Sequence, residues 1–216
     1  MFFTPRLAAL TSSAVILAAL SLGPAQAAPV NFAAFSGTLG TSQAYGPITA
    51  YGFTAPTSGA HTGELTATQL FGKNGGGGET GLGLASTHDN EINAPTGGEA
   101  IVLDVSALSG QDLRIGFGSV QSGEGWRVGF SSNATLPVNE TAFSGYVAGT
   151  TDFPSLFDLG VRSTRYLIIE ATSGDILLTS LSATSVPEPA SMTLLSAGLL
   201  SLGMFSRRRS AAQLKV

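Results

Sequence analysis

The sequence predicts an all-β fold, an antiparallel β-sandwich with a jelly-roll-like body, and three features of residues 28–185 indicate it. Short runs are rich in Val, Ile, Thr and aromatic side chains, which favour strands. Gly, Asn, Asp, Ser and Pro separate these runs at intervals typical of hairpins. The body lacks the apolar spacing of three and four that marks an amphipathic helix. Two antiparallel sheets with buried inner faces account for all three observations.

The individual runs predict strands of two kinds. The run 113–120 alternates cleanly, so one face should carry its apolar side chains and the other Gly116 and Gly118. Glycines in a strand indicate close packing more often than a flat ligand surface. The run 165–171 is largely apolar without alternation, which predicts a central strand covered on both faces. The predicted strands are 32–39, 48–54, 64–71, 100–106, 113–120, 126–132, 142–148, 165–171 and 175–183.

Residues 1–27 have the features of a secretory signal peptide. Arg6 supplies a positive charge, residues 14–20 are an unbroken apolar run, and residues 25–27 read Ala-Gln-Ala, the small-x-small pattern that signal peptidase accepts. Cleavage is therefore predicted between Ala27 and Ala28. An N-terminal anchor helix is the alternative, which the short apolar run disfavours.

The body that follows is acidic and lacks cysteine. Residues 28–185 carry five basic and thirteen acidic side chains, a formal net charge of −8. Such a surface offers no basic face to a phosphate backbone, so nucleic acid is not an expected partner. The whole chain has no cysteine, which excludes thiol nucleophiles, cysteine-ligated zinc and iron–sulfur clusters. The length predicts one domain that buries a core without disulfides.

Residues 186–216 form a distinctive tail. Pro187 and Pro189 restrict the backbone and hold Glu188 in a stiff, extended spacer. Residues 190–205 carry no charge and would span about 24 Å as a helix, which predicts a single, rather short transmembrane helix. A basic cluster then holds the C-terminal end on the cytoplasmic side as a membrane stop. Its members are Arg207, Arg208 and Arg209.

This combination of Pro-Glu-Pro, apolar span and arginine cluster resembles the PEP-CTERM sorting signal of Gram-negative bacteria that make exopolysaccharide or biofilm. The resemblance implies that an exosortase, a membrane cysteine protease, reads the motif at Pro187, Glu188 and Pro189. It also implies an inner-membrane-anchored precursor that reaches the cell surface or extracellular matrix. An ordinary tail anchor that happens to follow Pro-Glu-Pro is the alternative. The body, with "ETGLGL", "DNEI" and "GSVQSGEGWRV", is more loosely similar to glycine-rich β-sandwich bodies of other PEP-CTERM proteins.

The glycine-rich stretch 72–84 contains a formal G-x-G-x-x-G pattern. A phosphate site of that kind needs a helix directly after the glycines, and none is predicted here. The pattern therefore indicates a surface loop. The three glycines are Gly76, Gly78 and Gly81.

The sequence His-Asp-Asn-Glu at 88–91, with Glu79 nearby, gathers oxygen atoms of the kind that calcium prefers. The spacing does not match an EF-hand loop, and a solvated hairpin loop explains the same polarity. Calcium is therefore an open possibility, and no metal ligand is assigned.

Catalysis has little support in the sequence. Glu124 suggests a polysaccharide hydrolase or lyase only if a second carboxylate such as Glu79 faces it. No G-x-S-x-G nucleophile elbow occurs, so no catalytic residue is assigned. Trp126 is predicted to be a core or hairpin aromatic rather than a platform for stacking sugars.

These observations lead to an expected function. The protein should be an exported, non-catalytic component of the exopolysaccharide or biofilm layer that is structural, adhesive or in contact with carbohydrate. The alternatives are a secreted polysaccharide-active hydrolase or lyase and a calcium-stabilised, lectin-like binding module. Expected partners are signal peptidase, an exosortase, the membrane through the C-terminal helix, and exopolysaccharide.

Overall fold

The computed structural model describes residues 29–54, 63–76, 79–85, 89–94, 98–152 and 154–186. In these ranges the chain forms fifteen strands and three short 3-10 turns, with no α-helix. The strands are β1 Val30–Asn31, β2 Gly37–Thr38, β3 Ser42–Tyr45, β4 Ile48–Thr54, β5 Thr66–Thr68, β6 Leu70–Asn74, β7 Thr80–Leu84, β8 Ile92–Asn93, β9 Glu99–Asp104, β10 Gln111–Gly118, β11 Gly125–Ser131, β12 Ser144–Gly149, β13 Leu156–Arg162, β14 Tyr166–Ser173 and β15 Asp175–Thr184.

The strands form two antiparallel sheets, which confirms the all-β prediction. Sheet A has the order β13-β10-β15-β7-β6-β2, and β1 and β8 also pair with β15. Sheet B has the order β12-β11-β14-β9-β4-β3, and β5 pairs with β4. The jelly-roll-like arrangement remains a prediction. In the described ranges no helix is long and apolar enough to cross a membrane. The predicted signal peptide and transmembrane helix lie outside those ranges.

One hydrophobic core joins the two sheets. Leu113, Ile115 and Phe117 alternate along β10 and point inward, as the sequence predicts. Phe117 stacks on Trp126 of sheet B with ring centroids 4.4 Å apart, so the two sheets share an aromatic contact. Trp126 is fully buried, which confirms its prediction as a core aromatic.

A second, smaller core covers the outer face of sheet B. Phe143 and Leu65, from the segments beside that face, pack against Ile168 of β14 and Val102 of β9. Strand β14 is therefore buried on both faces and lies between β11 and β9, which confirms the prediction from its continuous apolar run.

Some predicted strands are wrong in extent. The run 32–39 is interrupted by a 3-10 turn at Phe32–Ala34, which the Asn31 side chain caps by accepting a hydrogen bond from Ala33 N at 2.9 Å. The run 64–71 divides into β5 and β6, because β5 pairs with β4 of sheet B whereas β6 belongs to sheet A. Five strands were not predicted: β1 and β8 have only two residues each, and Gly or polar residues interrupt the apolar patterns of β3, β7 and β13.

The sandwich has two chemically different ends. The β10–β11 hairpin, the β14–β15 turn and residues 89–94 meet at one end, which we call the acidic end. The opposite end holds the loops 105–110 and 163–165 and the last residue of β15, and we call it the C-terminal end. Val105 N donates to Arg165 O at 2.8 Å there, so these two loops are joined directly.

Candidate functional site

A groove of about 670 Å³ lies on the outer face of sheet A. Gly116 sits between the inward-pointing Ile115 and Phe117 and faces away from the core, and three of the groove-lining side chains pack over it. A Cβ at Gly116 would lie 2.9 Å from Thr179 Oγ1 and 3.0 Å from Leu156 Cδ2. The groove is lined by Pro29, Val30, Asn31, Ala33, Thr80, Pro154, Leu156, Thr179 and Ser180.

The groove is uncharged and combines apolar surface with hydroxyl groups. Leu156 is 44% exposed, although it is a large apolar side chain. Thr179 is 9% exposed, and its buried Oγ1 has no hydrogen-bond partner in the described part of the chain. It occupies an irregular point in β15, because the register with β10 shifts between Gly116 and Phe117. A buried hydroxyl without a partner costs about 1–3 kcal/mol, so a water or ligand hydroxyl would be stabilising there.

Carboxylates dominate the acidic end, and Lys73 of β6 joins one of them, Glu91, to Glu79 of the β6–β7 turn. Lys73 Nζ lies 3.2 Å from Glu79 Oε2 and also forms an ion pair with the nearly buried Glu91. Ser119 Oγ donates to Glu91 Oε1 at 3.0 Å. Burial raises the pKa of Glu91, although Lys73 and Ser119 act in the opposite direction. The lysine therefore compensates a carboxylate that the fold has removed from water.

A second group of carboxyls at the same end shares a proton. The Asp175 side chain hydrogen-bonds to Asp89 and Glu124, and the contact with Asp89, then burial and the contact with Glu124 raise the pKa of Asp175 to about 8. Glu124 Oε2 also accepts from Gln121 N at 2.6 Å, which fixes it in the β10–β11 hairpin. Asp175 is consequently protonated at neutral pH and donates to its neighbours.

The proposed calcium ligands are only partly brought together. Asp89 Oδ1 accepts from Glu91 N at 3.2 Å and from Asn93 Nδ2 at 3.1 Å, so it organises its own loop. Glu79 and Glu91 meet only through Lys73. Residue 88 lies outside the described ranges. Within those ranges, no three His, Cys, Asp or Glu side chains are arranged to hold a metal ion.

The hydrolase alternative requires a second carboxylate, such as Glu79, that faces Glu124. The structure does not pair these two residues. Glu79 pairs with Lys73, whereas the carboxyl neighbours of Glu124 include Asp175. The surface-loop prediction for the glycine-rich pattern is wrong at Gly81, which is buried in strand β7; Gly76 precedes that strand, and Gly78 lies outside the described residues. A strand rather than a helix follows Gly76, so no helix N-terminus is available there to bind phosphate.

The comparison with known families identifies the tail. The PEP-CTERM protein-sorting motif matches residues 185–209. The chain carries this sorting motif. No curated protein matches the chain at a significant level.

The sorting motif indicates an exported, membrane-passing precursor that an exosortase processes on its way to the cell surface. The predicted motif and stop residues fall inside the matched range, and all of them lie outside the described residues. They are Pro187, Glu188, Pro189, Arg207, Arg208 and Arg209. The predicted cleavage site, Ala27 and Ala28, also lies outside the described residues.

The folded body connects to the sorting motif without a spacer. Strand β15 ends at Thr184, and the match begins at residue 185. Because β15 is a central strand that pairs with β10, β7, β8 and β1, the sorting motif continues directly from the middle of sheet A.

Sequence reasoning missed a buried ionic cluster on the covered face of sheet B. Arg127 Nε donates to Glu170 Oε2 at 2.8 Å, and Glu140 lies beside Glu170. Burial, and then the Glu170 charge, raise the pKa of Glu140. A signal was present, because Glu170 interrupts a run predicted to be buried on both faces, and a buried charge requires a partner.

The sequence also gave no indication of the Asp89–Asp175 contact or of the groove at Thr179. The two aspartates are far apart in the chain and come together only because β8 pairs with the first residues of β15. The groove depends on the shift in register along β15.

Proposed function

We propose that the protein is an exosortase-sorted surface or matrix component whose sandwich makes non-catalytic contact with a neutral polysaccharide of the exopolysaccharide layer. The sorting motif supports the destination. The groove on sheet A supports the contact, and the observation that carries it is the buried, unpartnered Thr179 hydroxyl in an uncharged lining.

The chemistry of the groove suits a saccharide. Sugar rings present C–H surface and hydroxyls together, and Leu156 lies beside the hydroxyl-bearing Thr179 and Ser180. A ligand hydroxyl would satisfy Thr179 Oγ1, while its ring would cover Leu156. The net charge of the body disfavours an acidic polysaccharide, because like charges repel at the surface.

The acidic end supports a non-catalytic role in this proposal. Glycoside hydrolysis needs two carboxyl groups separated by about 5 Å or more, so that the sugar lies between them. Glu124 and Asp175 are instead in hydrogen-bond contact, which leaves no room for a sugar ring between them.

The contact is tested by affinity electrophoresis of the body in gels containing dextran or, separately, alginate. Retardation by dextran and none by alginate is expected. Leu156→Gln should weaken retardation at least fivefold. Val161→Gln is the matched control, because Val161 is exposed on the same strand but does not line the groove. Equal effects of the two variants, or no retardation by dextran, would contradict the polysaccharide proposal.

The sorting step has its own test. Intact mass of the protein from cells with and without the exosortase should differ by removal of the tail. A C-terminus beyond Arg209 in both would show that the tail serves only as an anchor.

A calcium-stabilised module is the second candidate: Asp175 contacts Asp89 and Glu124, although the described residues are not arranged to hold a metal ion as they stand. A cation there would displace the shared proton, since calcium binds ionised carboxylates. Calcium at millimolar concentration should then raise the melting temperature more at pH 8 than at pH 6. No shift at either pH would remove this candidate.

A further inference from the structure

We infer that the C-terminal end of the sandwich lies against the anionic surface of the membrane and that the acidic end points away from it. The inference concerns the anchored precursor and therefore rests on the proposed sorting function, in which residues 190–205 insert as a helix. It assigns a contact surface and a lipid partner to one end of the body.

The first argument is the length of the connection. Three residue steps separate Thr184 from Pro187, and six separate Thr184 from Ala190. Even fully extended, these spans cannot exceed about 10 Å and about 21 Å. The end of β15 is therefore held close to the headgroups. Pairing of Thr184 with Asp112 and of Ala183 with Leu113 keeps that end of β15 folded against β10.

The second argument is the distribution of charge along the sandwich. Lys73 is the one basic side chain of the acidic end among the described residues. The carboxylates of that end are Asp89, Glu91, Glu99, Glu124, Asp152 and Asp175. The ten residues of β15 separate the two ends by about 30 Å, several Debye lengths at physiological salt. With the C-terminal end facing the membrane, most of these charges lie beyond the field of anionic lipids.

The third argument is the chemistry of the C-terminal end, which is close to neutral because its arginines are matched by carboxylates. The arginines are Arg114, Arg162 and Arg165, and the carboxylates are Asp104, Asp112 and Asp158. Arg162 has no carboxylate partner in the described ranges, its Nε donates to Leu159 O at 2.7 Å, and its guanidinium lies 4.2 Å from the Phe130 ring centroid. These contacts hold the side chain in place without neutralising it. Arg165 pairs with Asp104 at 3.3 Å, and its side chain is 41% exposed.

A basic side chain close to an anionic bilayer contributes about 1 kcal/mol of attraction. Arg162 supplies an uncompensated charge in the half of the body that the connection holds near the membrane. The tether and the repulsion of the acidic end therefore favour the same orientation, and Arg162 adds a local attraction.

The absence of cysteine allows a clean test, because single-cysteine variants can be labelled at one position. Ser109→Cys places a fluorophore at the C-terminal end, and Ser122→Cys places one in the β10–β11 hairpin of the acidic end; both residues are exposed. The labelled full chain, with its tail, is reconstituted in vesicles of phosphatidylcholine with 30% phosphatidylglycerol, about the anionic content that gives a substantial surface potential. Quenching by headgroup-attached spin labels is then measured.

Quenching at position 109 is expected to exceed quenching at position 122 at least threefold. Arg162→Gln, and vesicles of pure phosphatidylcholine, should each reduce that ratio. A flexible segment of about 12 Gly and Ser residues between Val186 and Pro187 adds roughly 20 Å of mean reach and should bring the ratio towards one.

Equal quenching at the two positions in anionic vesicles would overturn the inference. If neither Arg162→Gln nor vesicles of pure phosphatidylcholine change the ratio of quenching at positions 109 and 122, the proposed contact with anionic lipid is wrong. A chain that fails to float with vesicles would contradict membrane anchoring and the orientation together. The dextran experiment uses the body alone, so loss of saccharide binding leaves the quenching ratio unchanged and the two failures remain distinguishable.

Discussion

The outer faces of the two sheets serve different purposes, although both sheets are antiparallel and share one core. Sheet B is covered on its outer face by the protein's own chain, with Phe143 and Leu65 over Ile168 and a buried ionic cluster beside them. Sheet A is open where Leu156 and Thr179 line a groove. A sandwich with one shared core can thus cover one outer face with its own chain and leave a groove on the other.

Removing the arginine from the covered face should have the largest effect. Arg127→Met would leave Glu170 and Glu140 buried side by side without a cation, so the free energy of unfolding should fall by about 3–5 kcal/mol. Arg114→Met is the control, because Arg114 is half exposed in weak ion pairs at 3.9 and 4.0 Å and should cost less than about 1 kcal/mol. Urea unfolding measures both. Similar losses for the two variants would mean that the buried ionic cluster contributes no more to stability than an exposed ion pair.

A substitution that makes a side chain overlap the backbone on sheet A should give the next largest loss of stability. A Cβ at Gly83 would overlap the Asn90 carbonyl oxygen and lie 2.8 Å from Glu91 Cα, so residues 89–91 would have to move. Gly83→Ala is expected to cost about 1–3 kcal/mol in urea unfolding. Gly76→Ala, where nothing lies within 4 Å of the added Cβ, should be nearly neutral. A neutral Gly83→Ala would show that this segment does not rest on β7 in solution.

The shared proton at the acidic end predicts a pH dependence. Asp175 has a folded pKa of about 8, above its ordinary value of 3.8. The folded state therefore binds more protons between these values, and its stability should decline from about pH 4 to about pH 8. After allowance for solvent screening, the decline should be about 1 kcal/mol. Asp175→Asn should flatten the curve of unfolding free energy against pH, and an unchanged curve would exclude the shared proton.

Removing a hydroxyl from the groove on sheet A should slightly raise the free energy of unfolding. Thr179→Val removes a buried hydroxyl that has no partner in the described structure and keeps the shape of the side chain, so stability should rise by about 0.5 kcal/mol. The same variant should bind dextran less tightly. Thr66→Val, on the exposed edge strand β5, is the control for both measurements. A destabilised Thr179→Val variant would mean that the hydroxyl is already satisfied, by water for example.

The sequence predicted the fold class and the best-packed strands because burial there follows periodicity. The alternation of Leu113, Ile115 and Phe117 and the continuous apolar run of β14 both matched the observed burial. Strands β3, β7 and β13 escaped prediction because glycine or polar residues reduce local apolar patterning, while their pairing is fixed by neighbours distant in sequence.

The functional features also include one that the sequence predicts and others that it does not. The tail could be recognised from sequence alone, since a sorting signal is read as a linear segment, and the family match confirms the PEP-CTERM resemblance. The groove and the carboxyl contacts could not be predicted. Thr179 loses its partner because of a register shift, and Asp89 meets Asp175 through the pairing of β8 with β15.

The position of β15 also governs when the body can fold. Val30 of β1 pairs with Leu181 of β15, so the first and last strands of the sandwich are neighbours in sheet A. A chain that emerges from a translocation channel with its N-terminus first cannot complete this sheet until residue 184 has passed through. We therefore expect sheet A to be completed only after the body has crossed.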